Sequence, residues 1–319
     1  MKAIRVHEFG GPEVLRLEDI AVPSAGPGEI LLKVEAIGVN PVETYHRSGS
    51  NPALKLPWTP GSDAAGVVED VGEGVEGWEP GDRVYVSGSV TGTYAMWTVA
   101  PAASVHPLPE TLSAEQGAAV GIPYGTAWRA LIQRAEAQPG DRVLIHGASG
   151  GVGLAAVQIA RSLGLTVIGT AGSPQGAALV KEHGADHVLD HRSPGYLDAL
   201  PDLTGGAGPT IILEMLSNVN LALDFRCISK RGRIIVIGCR GPVEINPRDL
   251  MIREADVRGL LLFNATPEEL AAIHRGLAEG FASGALRPVI SRTFPLAEAA
   301  VAHTAVLASG ATGKLILLP

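Results

Sequence analysis

Apolar positions change rhythm once along the chain. Up to about residue 118 they come in short runs: Val14–Ile20, Ile30–Ile37, Ala64–Val68 and Arg83–Val86. Pro27-Gly28, Pro60-Gly61 and Pro80-Gly81 punctuate them as turns. Short strands at such spacing predict a compact, barrel-like β domain. From Ser113 an Ala-rich helical segment is expected to about Ala135. After Pro139-Gly140-Asp141, strands and helices alternate. Strands are expected at Arg142–His146, Leu165–Thr170, His187–Asp190, Thr210–Glu214, Arg233–Gly238 and Val257–Phe263. Helices are expected at Gly151–Gly164, Gln175–His183 (closed by Gly184) and Asn218–Ser229. That alternation predicts βαβ units and a parallel sheet. The tail reads as helices near Pro267–Gly280 and Leu296–Ser309, then a strand at Lys314–Leu318.

Composition adds bounds. A chain of 319 residues implies about two domains. It is 46% hydrophobic and 18% charged, which fits a folded protein and not a disordered one. With 4 Trp, 5 Tyr and 5 Phe, the cores must rest on aliphatic side chains. The net charge of −8 argues against a nucleic-acid partner, though it leaves room for a local anion site. Cys227 and Cys239 are too few for a disulfide framework or a four-cysteine zinc lobe, so a reducing cytoplasm is expected. Residues Met1 to Arg5 carry no apolar leader. Val143 to Ala160 lacks formal charge, but four clustered glycines within it argue for a turn and against a membrane span.

That stretch is the most informative one: Val143-Leu-Ile-His-Gly147-Ala148-Ser149-Gly150-Gly151-Val152-Gly153. A GxxxxGK[ST] phosphate loop is excluded, because no Lys-Ser/Thr follows. A nucleophile elbow matches at Gly147–Gly151, and a dinucleotide fingerprint matches at Ala148–Gly153. An elbow follows several strands of its sheet, whereas a dinucleotide turn follows the first. Here the parallel rhythm begins at this strand, which favours the dinucleotide. Gly150 then admits a pyrophosphate, Gly153 lets helix and strand pack, and the helix N-terminus attracts phosphate charge. About 20 residues on, an NAD site carries an acid for the ribose 2′-OH. Gly169-Thr170-Ala171-Gly172-Ser173 has none. A small, neutral rim leaves room for a 2′-phosphate, with His191 and Arg192 as donors or, in the plainer reading, a solvated loop.

Asn40-Pro41-Val42-Glu43-Thr44-Tyr45, Gly61-Ser62-Asp63, Gly121-Ile122-Pro123-Tyr124, His146–Gly153, Glu214-Met215-Leu216 with Asn218-Val219-Asn220, Glu244–Asp249 and Ala311-Thr312-Gly313-Lys314 form a set of separate stretches. Together they resemble the zeta-crystallin-like quinone oxidoreductases of the medium-chain dehydrogenase/reductase superfamily. The resemblance implies an α/β protein: a GroES-like β-barrel substrate domain plus a Rossmann domain with a doubly wound parallel sheet. The barrel takes residues 1–118, the Rossmann part 119–262, and the chain returns to the barrel over 263–319. It implies an enzyme that transfers hydride from NADPH to a quinone or another electrophilic carbonyl acceptor. Carried over by position, cofactor contacts fall to Tyr45, Ser149, Gly150, Gly151, Val152, Gly172, Ser173, His191, Asn220, Ile237, Gly238, Cys239, Arg240, Leu260, Leu261 and Leu262. Gly125, Trp128 and Asn264 depart from the pattern, which bears on the acceptor's size and shape.

In the resemblance, the zinc alcohol dehydrogenases place a Cys where Asn40 stands and His-Glu where Ser62-Asp63 stand, with a third ligand near Gly121-Ile122. Only Asp63 could ligate here, and His46 alone does not complete a set, so no metal is expected. Without a Lewis acid the acceptor must already be electrophilic. The protein then holds it against the nicotinamide, between the domains, and places donors at the developing charge. Tyr45 is the first candidate donor, Asn40 the second and Thr126 the third. Their competing roles are packing, a cap before Pro41, and a hydroxyl bonded to its own helix. Cys239 is expected at the crevice without a catalytic role, and Cys227 buried on a helix. Two alternatives stand beside this reading: an NADPH-dependent enone or enoyl-thioester reductase, and a non-catalytic, crystallin-like or RNA-associated nucleotide binder. Val257–Phe263 reads as an apolar edge strand whose pairing with a symmetry mate gives a homodimer, alone or within a tetramer of dimers.

Overall fold

The computed structural model describes residues 1–319, and its first strands are β1 (Lys2–Arg5), β2 (Arg16–Asp19) and the long β3 (Glu29–Val39). Asn40 then caps α1 (Pro41–Arg47). It is extended, proline follows at the first helical position, and Glu43 returns a carboxylate oxygen to the Asn40 N–H at 2.7 Å. Next come β4 (Asp63–Val71), β5 (Arg83–Ser87), β6 (Trp97–Pro101) and β7 (Val105–Pro107). The single helix expected over 113–135 is three pieces: α2 (Ala114–Gly117), α3 (Gly121–Trp128) and a π-helical segment at Arg129–Arg134. A new helix starts at Gly121 because Asp63 Oδ1, on β4, accepts the Ile122 N–H at 2.9 Å.

The alternating part holds β8 (Arg142–Ile145), α4 (Gly151–Ser162), β9 (Thr166–Ala171), α5 (Pro174–Glu182), β10 (His187–Asp190) and α6 (Leu200–Leu203). It continues through β11 (Ile211–Glu214), α7 (Ser217–Cys227), β12 (Arg233–Val236), α8 (Pro247–Arg253), β13 (Asp256–Gly259) and α9 (Pro267–Ala282). The tail is β14 (Ile290–Pro295), α10 (Ala299–Val306) and β15 (Lys314–Leu318). The strand expected over Val257–Phe263 therefore stops at Gly259. Its partner β12 ends at Val236, and the chain turns at Leu262–Asn264 to bury Leu262. Likewise the helix expected over Leu296–Ser309 spans only Ala299–Val306, after a short 3-10 turn.

Two compact units result: Met1–Ile122 with Pro288–Pro319, and Pro123–Arg287. In the first, strands run β14-β15-β3-β4-β5-β7, with β6 also on β3. Ile30, Leu32, Ile37, Val84, Tyr94 and Phe294 are among its core side chains. In the second, six parallel strands run β10-β9-β8-β11-β12-β13. In order of appearance that is 3-2-1-4-5-6, the dinucleotide-binding order, with its reversal between β8 and β11. Leu144, Ile168, Ile212, Phe225 and Ile234 form a core on it. The return to the first unit comes at Pro288, not at 263, because α9 packs within the second. Gly276 makes room for the Trp128 indole, Glu269 pairs with Arg129 at 2.6 Å, and the Phe281 ring packs tilted against Tyr124 with centroids 5.4 Å apart. No helix is long and apolar enough to cross a membrane.

Candidate active site

The glycine turn is built by its neighbours. Gly147 adopts φ +58°, a left-handed conformation that glycine adopts without steric cost. The end of β9 holds the turn: Thr170 Oγ1 accepts the Gly147 N–H at 3.0 Å, and the Thr170 carbonyl accepts that of Ala148 at 2.8 Å. A Cβ on Gly153 would collide with the Gly147 carbonyl, so the close helix–strand approach expected there is real. Gly150 caps α4 with no side chain on the first-turn amides. Those N–H groups are free to face an anion. Ser149 is buried, and His146 bonds away from it to Asp224, so the turn lacks the base an elbow nucleophile needs.

The end of β9 and the turn after it, residues 169–173, carry no acid; the nearest is Asp190 at the end of β10, which accepts the Arg192 N–H at 2.9 Å. The Ser173 hydroxyl accepts the Gly176 N–H at 3.1 Å and so caps α5. A Cβ on Gly172 would lie 2.5 Å from His191 Nε2 and 3.0 Å from Arg192 Nε. Both basic side chains therefore lie against this glycine. Burial pushes the His191 imidazole down, so the Arg192 guanidinium supplies the charge. Arg192 forms no ion pair.

The other expected contacts follow the carboxyl ends of the strands, where such sheets bind ligands. The Glu214 carbonyl accepts the Ile237 and Gly238 amides at 2.9 and 3.2 Å, and Arg240 N–H reaches Asn218 Oδ1 at 2.9 Å. A Cβ at Gly238 would strike the Met215 carbonyl. Cys239 is exposed, and a hydrogen bond from Ser217 lowers its thiol. Cys227 is only half-buried, at the end of α7, and desolvation pushes it up to about 12. Asn220 donates to Glu214 at 3.2 Å. Leu260 and Leu261 follow β13, and Leu262 is buried over Gly125.

The first unit holds Asn40 and Tyr45, which fare differently. Asn40 is buried, and both its amide hydrogens are spent, on Glu43 Oε1 (3.1 Å) and Asp63 Oδ2 (2.9 Å). Its Oδ1 accepts from Lys314 Nζ, which also pairs with Asp63 at 3.1 Å. The donor role expected for Asn40 is thus closed, because no N–H remains to give. The hydroxyls of Tyr45, and of the buried Thr126 in the second unit, are engaged by no other protein group. Asp63 Oδ1 would also collide with a Cβ at Gly121, so no ligating side chain fits there.

Sequence reading missed what lies behind Asn40. Arg47 Nη1 meets His303 Nδ1 at 3.2 Å, His303 Nε2 meets the Tyr94 hydroxyl at 3.0 Å, and Tyr94 donates to Glu43 at 2.9 Å. Burial pushes the Glu43 carboxyl up to about 7, against the pull of Lys314 and the Asn40 amide. His303 and Lys314 lie more than 200 residues from these partners; no local pattern marks His303, and the stretch Ala311–Lys314 carried the resemblance without revealing what Lys314 pairs with.

With this geometry in view, the comparisons are decisive. Residues 26–110 match the alcohol dehydrogenase GroES-like domain, and residues 151–278 match the zinc-binding dehydrogenase family. Human quinone oxidoreductase is 51% identical over 321 residues, covering 100% of this chain and 98% of that protein. A mycobacterial protein, Rv1454c, solved with NADPH, aligns at TM-score 0.92 and 34% identity, with 100% of each chain covered. Escherichia coli quinone oxidoreductase, also solved with NADPH, aligns at TM-score 0.90 and 31% identity, again over 100% of each chain. Half the residues shared from end to end, on this strand order and this glycine turn, leave one assignment: the chain belongs to the quinone oxidoreductase family of the medium-chain dehydrogenase/reductases.

Proposed function

We propose that the protein is an NADPH-dependent quinone reductase that works without zinc. The observation that carries this is the glycine turn with the acid-free residues 169–173 under Arg192. NADPH, when bound, supplies hydride from its nicotinamide. Free amides at the start of α4 would hold the pyrophosphate, and Arg192 with His191 the 2′-phosphate. The collisions that a Cβ would meet at Gly153 and Gly238, and the contact at Gly172, support a fit that leaves no bulk over the crevice.

Lys314 supports the zinc-free reading. Its ammonium already neutralises Asp63, the one residue of that set able to bind a cation. With no Lewis acid, a pre-activated acceptor such as a quinone is favoured. Tyr45, with a free hydroxyl, is the leading donor to the developing oxyanion and Thr126 the next. Asn40 instead fixes Asp63 and the start of α1, the helix that bears Tyr45. A second copy is expected along β13, and the cytoplasm is the expected setting.

NADPH oxidation against a panel of quinones and a panel of enones, with elemental analysis of the same sample, tests this. Quinone turnover that survives chelators, with no stoichiometric zinc, is the expected result. Reduction of enones alone would move the protein to the enone reductases. Binding without turnover would make it a nucleotide-binding protein only.

A further inference from the structure

Three buried side chains below the glycine turn carry more acid than base. His146 follows β8 and directly precedes Gly147, Glu214 ends the neighbouring β11, and Asp224 lies on α7. None is more than 2% exposed. His146 Nε2 lies 2.8 Å from Asp224 Oδ1 and 3.6 Å from Glu214 Oε2. Burial lowers the imidazole, so it is neutral and its Nε2–H donates to Asp224. Glu214 Oε1 accepts from the Leu216 amide and from Asn220 Nδ2. Glu214 Oε2 and Asp224 Oδ2 are left with no donor.

Two orphan carboxylate oxygens in one buried cluster are short of a single hydrogen. One proton on Glu214, donated to Asp224, satisfies both. Both carboxyls are raised to about 7, burial being the main cause in each, and their oxygens lie within 4.8 Å of one another. A metal ion fits less well. Tetrahedral zinc donors stand about 3.4 Å apart, whereas the 2.8 Å contact is a hydrogen bond. Glu214 is also the fixed point of the crevice. Its carboxylate holds Leu216 and Asn220, and its carbonyl holds Ile237 and Gly238.

We propose that Glu214 is a positioning residue for NADPH, and that cofactor binding draws a proton onto the Glu214–Asp224 pair, so that affinity falls as this proton is lost with rising pH. The proposal rests on the NADPH reading above. The cofactor's phosphates bring negative charge to a turn that begins one residue after His146. A doubly ionised pair beneath it opposes them. The other titratable groups facing the cluster stay neutral around pH 7. Burial pushes up Tyr196, whose ring stands edge-on to His146 at 6.4 Å, and Cys227, and it pushes down His191. Arg253, on α8, is the cation on the Cys227 side.

NADPH binding to the intact protein, followed by fluorescence from pH 6.5 to 8.5, provides the test. The cofactor's own phosphate titrates near pH 6, so the reading is the difference between wild type and Glu214→Gln, with Asp224→Asn as a second variant. Wild type is expected to lose affinity roughly threefold to tenfold across that range, and both variants to lose clearly less. A purely structural role would shift affinity equally at every pH. Calorimetry at pH 7.5 in two buffers of different ionisation enthalpy should show wild type taking up part of a proton on binding. Equal slopes in wild type and variants, or no proton uptake, would overturn the proposal. A wild type that binds no NADPH at any pH would instead overturn the functional reading on which it rests.

Discussion

At the scale of single residues, Lys314 is the most consequential side chain that sequence reading passed over. Its ammonium and the Asp63 carboxylate are both buried. Lys314→Met leaves Asp63 as an unpaired buried charge and should cost about 3–5 kcal/mol of stability. Adding Asp63→Asn should recover most of that, and urea unfolding of the single and double variants measures both. Tyr45→Phe should lower kcat about tenfold while NADPH affinity holds, since a quinone spreads its charge and water can partly replace the donor. Tyr45→Ala should weaken NADPH as well. If Tyr45→Phe matches wild type on several quinones, the ring only packs. His303 gives a pH effect of definite sign. Desolvation lowers its imidazole to about 3 in the folded chain, against about 6.5 when unfolded. Stability is therefore lost as pH falls from about 6.5 toward 3, because the unfolded chain takes a proton that the native one refuses. His303→Gln should flatten this acid limb in thermal melts. Gly153 and Gly172 were legible in the sequence because a local motif places them. Asn40 was legible only as a position, since its commitment depends on partners far along the chain.

At the scale of elements, the parallel sheet was the most readable part. Its central strands carry apolar runs such as Ile211–Leu213, bounded by turns, and the expected limits fall within about two residues of the observed ones for every strand but the last, which ends at Gly259 and not Phe263. Elements made by capping chemistry were readable only at the cap itself, as at Asn40 before Pro41, and not in their extent. Seven residues of α1 show no periodicity, and they are helical because Asn40, Pro41 and Glu43 cap them. The break between α2 and α3 comes from Asp63, far upstream. Ser173 shows how a local cap can be used. Ser173→Asp keeps an acceptor for the Gly176 N–H and so should keep α5 intact. It also adds negative charge where a 2′-phosphate is expected. The preference for NADPH over NADH should narrow or reverse, as judged from kcat/KM for each cofactor. An unchanged ratio would mean that the rim does not read the phosphate.

At the scale of the whole molecule, β13 ends the six-stranded sheet, with Val257 39%, Leu261 51% and Phe263 51% exposed beside it. An open edge strand with exposed apolar side chains on it and just beyond it invites pairing, even though Asp256 and Arg258 also lie on it. Light scattering at micromolar concentration should show a dimer or a multiple of one, and charged substitutions at Val257 and Phe263 should release monomers. A monomeric wild type would refute the assignment of this edge. The place of β15 carries a different consequence, for how the chain is made. This strand lies between β14 and β3, and it brings Lys314 to Asp63. During synthesis the end of β3, at Ile37–Val39, therefore waits unpaired on that side, with a buried acid uncompensated, until β15 has been made. By then every residue of the second unit has already been translated. The second unit can therefore order before the first is complete. The first unit is the one most in need of chaperone protection, and a premature stop before β15 should move the protein into inclusion bodies.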